Sequence, residues 1–176
     1  MTVQPPIIEI VPVGAVPADA LQALPPAIAA RFPGRVARLV DRGLPHPGDA
    51  FSPLRNQYQA ELILNRLAGL RTAAERVLGV VDLDLFVSGL NFVFGLARRG
   101  GPAVIALARL HPEFWGEPPE RQLFLERTIK EAVHELGHTY GLTHCDNPTC
   151  VMFFSNTLAE TDRKSDRFCP RHELQL

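Results

Sequence analysis

One stretch of eleven residues, His134 to His144 (HELGHTYGLTH), constrains this chain more than any other. Histidines at i and i+4 share one helical face and sit about one turn apart, close enough to grip one small cation. Glu135 is turned by about 100° on the same wheel, so it can reach a water beside that cation without being a ligand itself. Gly141 permits a sharp return of the chain, after which His144 can supply a third ring nitrogen. Three protein ligands with an open fourth position mark a catalytic rather than a structural zinc. Three imidazoles also hold iron, cobalt or nickel, so ligand chemistry alone leaves the metal open.

The rest of the C-terminal part is just as uneven. All three cysteines (Cys145, Cys150 and Cys169) and four of the six histidines (His134, His138, His144 and His172) lie there. Three thiols cannot all pair within one chain, and a metal site or buried free thiols are the alternatives. The chain has 176 residues, one domain's worth, and 46% are hydrophobic, enough for a core. A formal charge of −1 offers no field for nucleic acid or an anionic membrane. No apolar run reaches the roughly 20 residues of a membrane span. The start, MTVQPPIIEIVPVG, lacks a basic leader and an uninterrupted apolar stretch, so a cytoplasmic protein is expected.

Periodicity predicts strands at 7–16, 36–40, 77–87, 92–97 and 103–110, the last two joined by a turn at Arg98–Gly101. Helices are expected over 18–32, broken at Pro25-Pro26, and over 56–70, with Asn56 as N-cap and Gln59 completing a capping box. A long final helix opens with Pro118 and Pro119 in its first turn. Its apolar stripe is Leu125, Ile129, Ala132, Val133, Leu136 and Tyr140, with His134 and His138 on the opposite side. The class is α+β: a twisted mixed sheet with an antiparallel edge strand, packed on helices. Asp82 and Asp84 read as a solvated strand face, Arg98 and Arg99 as turn solvation, and Trp115 as a loop anchor. His46 and His111 read as loop residues without a specific task.

The extended pattern HExxHxxGxxH, followed by Cys145, Cys150, Val151-Met152 and Cys169-Pro170-Arg171-His172, resembles the archaemetzincins, a family of metzincin-type zinc metallopeptidases. Further stretches fit the same family, among them Arg55–Tyr58, Gly89 to Gly95 and Phe154–Asn156. The resemblance implies a metzincin-like fold. It makes His134, His138 and His144 ligands of a catalytic zinc, Glu135 the general base, and Met152 the Met-turn methionine beneath the metal. Cys145, Cys150 and Cys169 match three ligands of a second, structural zinc in a small Cys-rich C-terminal segment. The family commonly ends in CxxC; here the last position is His172, and Cys3His is an accepted structural zinc set.

The implied activity is peptide hydrolysis with two zinc ions per chain and a peptide or protein substrate. A cleft is expected beside an edge strand, assigned to 103–110, to which an extended substrate adds by main-chain hydrogen bonds. One domain, 1–176, divides into 1–141, with the active-site helix, and a short part, 142–176. A zinc-stabilised binding module without turnover, and a zinc amidohydrolase acting on small molecules, are the rival readings.

Overall fold

The computed structural model describes residues 4–176; residues 1–3, part of the stretch read above for a leader, lie outside the described residues. Strand β1 (Ile7–Pro12), helix α1 (Ala18–Arg31) and strand β2 (Val36–Leu39) come first, followed by β3 (Phe51–Ser52), β4 (Gln57–Gln59) and α2 (Ala60–Ala68). Then come β5 (Arg76–Val81), β6 (Leu85–Phe86), β7 (Gly95–Ala97) and β8 (Ala103–Ala106). The long α3 (Arg121–Thr139) and the short α4 (Leu158–Arg163) and α5 (Pro170–Glu173) close the order.

Five strands form the main sheet in the order β2-β1-β5-β8-β7, parallel throughout except for the antiparallel β7–β8 pair. Alternation along the strands sorts the core into two layers. Ile8, Ile10, Leu78, Val80, Ala103 and Ile105 pack with α1 and α3, whereas Val77, Val81, Val104 and Ala106 pack with Ile63, Leu64 and Leu67 of α2. A small sheet, β3-β4-β6, lies apart. This is the expected α+β architecture: a mixed sheet between helices, with a Cys/His cluster at the C-terminal end.

Several element boundaries differ from expectation. The edge strand is β7, not the 103–110 segment; β8 is buried along its whole length between β5 and β7, and Ala108–Leu110 is a 3₁₀ turn. An uninterrupted apolar run such as Ala103–Ala106 is what an internal strand buried on both faces requires. Helix α1 runs unbroken through Pro25 and Pro26. Ala20, Leu24, Ala27 and Ile28 are buried on its inner face, and exposed Pro26 lies on the outer side, where water can replace the missing N–H groups. Asn56 is not an N-cap but has φ 53, in the left-handed region; β4 follows it and α2 starts only at Ala60.

The 77–87 strand splits at Asp82, with Leu85–Phe86 joining the small sheet. Asp84 accepts two hydrogen bonds from the Arg109 guanidinium, at 2.6 and 2.8 Å, and Asp82 lies 3.1 Å from His111 Nε2. Both aspartates therefore fasten the 109–111 turn rather than face solvent, and His111, stacked on Phe124 at 4.0 Å, has a definite place. Trp115 does anchor its loop, Nε1–H donating to the Arg109 carbonyl at 2.9 Å. Pro118 and Pro119 precede α3 instead of opening it.

Candidate active site

Helix α3 does not divide into a core face and a wet face. In its second half Glu131, His134 and Glu135 are as buried as Ala132 and Val133, because β7 and the 150s loop cover the second side. Gly141 (φ 92) ends the helix, and the Leu142 amide turns back to the Gly137 carbonyl at 3.1 Å. This return brings His144 beside the other two histidines: one ring nitrogen from each of His134, His138 and His144 lies within 4.8 Å of the others.

The donor set fits zinc. Two nitrogens on a tetrahedral zinc stand about 3.3 Å apart, and His134 Nε2 and His138 Nε2 are 3.1 Å apart. Their other nitrogens are occupied: Nδ1–H of His134 donates to the Val151 carbonyl at 2.7 Å, and that of His138 to the Leu142 carbonyl at 2.8 Å. Such bonds fix ring orientation and tautomer and leave Nε2 with its lone pair free for a metal. Burial holds all three imidazoles below the usual histidine range, with the Lys164 charge acting in the same direction, so they stay neutral. Phe154 packs against the His144 ring at 4.7 Å.

Glu135 lies against the bare main chain of β7, where a β-carbon on Gly95 would stand 2.6 Å from Oε1. Burial, then the neighbouring Glu131, pushes its carboxyl up to about 8, while Lys164 pulls the other way. Met152 is fully buried under α3, its sulfur 2.5 Å from where a β-carbon on Gly137 would be. The second cluster is equally well shaped. Cys145 Sγ and Cys169 Sγ are 3.8 Å apart, and His172 Nδ1 is 3.6 Å from Cys150 Sγ and 3.4 Å from Cys169 Sγ. Thiolates on a tetrahedral zinc stand about 3.8 Å apart, and a thiolate and an imidazole about 3.6 Å. His172 is buried rather than frayed.

A cleft of ≈ 630 Å³ runs over the three histidines, walled by Phe94–Ala97 on one side and Phe154–Asn156 on the other. Every residue singled out from the motif is thus at one of two clusters or beside them. Sequence reasoning missed four others: Gly95, Gly137, Glu131 and Lys164. Glu131 was accessible in principle, four residues before Glu135 and hence on its face of the helix. Lys164 carried no local signal. Arg99, read as turn solvation, borders the cleft against Gly141.

The family model described as "Peptidase family M54" matches residues 33–176. An archaemetzincin of Pyrococcus furiosus is 46% identical over 169 residues, covering 93% of this chain and 88% of the relative. The crystal structure of an archaemetzincin from Methanopyrus kandleri superposes with a TM-score of 0.86 at 37% identity, covering 97% of this chain and 93% of that one. A zinc-dependent peptidase from Methanocorpusculum labreanum gives the same TM-score, 0.86, at 31% identity, covering 96% and 98%. The buried histidine triad, the Cys3His cluster and these likenesses agree, and the chain belongs to peptidase family M54, the archaemetzincin zinc metallopeptidases.

Proposed function

We propose that His134, His138 and His144 hold the catalytic zinc of this peptidase and that Glu135 is its general base. The observation that carries this is the convergence of three neutral ring nitrogens within 4.8 Å beside one buried carboxylate. When bound, zinc supplies Lewis-acid polarisation and lowers the pKa of water to about 7. Glu135 takes the proton of the attacking water and returns it to the leaving amine. The Val151 and Leu142 carbonyls keep two imidazoles oriented, and Met152 floors the site with apolar volume.

The substrate is an extended peptide added to the free edge of β7. The Phe94 carbonyl and the Arg98 amide are bonded toward β8, to Ala106 and Pro102, so the main-chain groups of Gly95 and Ala97 face outward. Cys145, Cys150, Cys169 and His172 hold a second, structural zinc, giving two ions per chain. Residues 142–176 then form a small C-terminal part on the larger 1–141 unit. Thiols kept reduced for a metal suit a cytoplasmic setting; no helix of the described residues is long and apolar enough to cross a membrane.

Glu135→Gln tests the assignment. The variant keeps its zinc and loses at least ~100-fold in peptide turnover, the size of a general-base contribution. Unchanged turnover with full zinc content removes Glu135 from the role.

A further inference from the structure

Lys164 and Glu131 are buried, border the cleft next to His134 and Glu135, and have no part in the chemistry above. Lys164 follows α4, and its side chain is 0% exposed. Its Nζ lies 3.0 Å from Glu131 Oε1, an ion pair whose direction is poor for a hydrogen bond, and no other group among the described residues accepts from it. Thr161 Oγ1 donates to the same carboxylate oxygen at 3.1 Å. An ammonium has three donors, and leaving them unmet in a buried place is unfavourable. The missing acceptors have one open side from which to come, the cleft.

The position along the cleft follows from the two elements that border it. Gly95 lies against Glu135, and the Gly100 amide donates to the Thr139 carbonyl at 2.8 Å, so β7 and the end of α3 run in the same direction. A peptide added antiparallel to β7 therefore passes from the Gly141 end toward the Glu131–Lys164 end. The residue following the scissile bond is the one whose side chain drops toward Lys164.

We propose that Lys164 is a specificity-determining residue whose ammonium group, at the floor of the cleft, takes the side-chain carboxylate of an acidic residue following the scissile bond. Hydrogen bonds between ionised groups are shorter and about twice as strong as neutral ones, so a carboxylate is preferred to an amide or an alkyl group. Glu131 holds the ammonium in place from behind, and Thr161 holds Glu131.

The inference rests on the metal-centre reading, and binding separates the two. The probes are two zinc-directed hydroxamates, identical except for a glutamyl or a norvalyl side chain next to the metal-binding group. Calorimetry on the zinc-loaded protein is expected to show the glutamyl probe binding about 10-fold tighter or more, a difference of ~1.4 kcal/mol. Lys164→Arg retains the preference and Lys164→Met abolishes it. Equal affinity of the two probes for the unaltered protein overturns the role of Lys164, whatever the variants do. Binding of neither probe overturns the metal-centre reading and this inference with it.

Discussion

At Gly95 it is space rather than backbone conformation that excludes a side chain, since a β-carbon there would press on the Glu135 carboxylate at 2.6 Å. Alanine at position 95 displaces the base by a fraction of an ångström to an ångström, a misplacement that lowers rates by about 10- to 100-fold. Gly95→Ala is therefore expected to keep its zinc and its melting temperature while kcat falls by that factor. A kcat within twofold of the unaltered enzyme sinks the argument. His111 shows a different single-residue effect. Its hydrogen bond to Asp82 raises its pKa above the ordinary 6.5, against a smaller opposing effect of burial. A histidine with a raised folded pKa contributes stability below the unfolded value and loses it as pH climbs through the folded one. Asp82→Asn should therefore lower the urea midpoint more at about pH 5.5 than at about pH 8.5. An equal loss at both would show that His111 does not titrate against Asp82.

The element that organises the site is α3, and its second half is shaped by what has to fit beneath it. Gly137 costs the helix about 1 kcal/mol relative to alanine. It is there because Met152 Sδ fills the space, 2.5 Å from where an alanine β-carbon would stand, with Phe168 Cε1 at 3.2 Å. Overpacking of a tight contact costs about 1–3 kcal/mol. Gly137→Ala is therefore expected to destabilise the protein despite alanine's better helix propensity, with a net loss of up to ~2 kcal/mol by urea titration. A stabilised variant would mean that the Met152 contact is loose. On the other side, Arg127 binds Asp162 through two hydrogen bonds, at 2.7 and 2.8 Å, and Lys130 donates to the Asp162 carbonyl at 3.0 Å. These contacts fasten α4 to α3 and set the start of the cleft floor at Lys164.

Over the whole molecule, the C-terminal part contributes few apolar layers of its own, and the Cys3His cluster draws its turns together. Binding energy at such a site is folding energy. Native mass spectrometry is expected to show two zinc ions per chain. A strong chelator should then lower the melting temperature and open Cys145, Cys150 and Cys169 to alkylation. One ion per chain, with thiols that react before chelation, would eliminate the second site while leaving the histidine triad intact. The main sheet ends in β7, whose outer edge is free, so the same strand supplies both the seat of Glu135 and the docking rail for substrate.

The metal clusters were legible from local spacing because their chemistry is local: His134 and His138 share one turn of one helix, Gly141 and His144 follow within six residues, and the cysteines are too concentrated for chance. The α+β class followed from periodicity, and the family from the extended motif. What spacing could not convey were contacts between segments far apart in sequence. Whether 95–97 or 103–106 forms the sheet edge depends on which strand β5 pairs with, and that is decided by burial on both faces. Pro25-Pro26 survives inside α1 because the helix packs on a core that the proline pair does not see. Lys164 meets Glu131 across 33 residues, Gly95 meets Glu135 across 40, and Gly137 meets Met152 across a turn of the chain. Close packing acts between neighbours in space, and the neighbours of a residue exist only once the chain has folded.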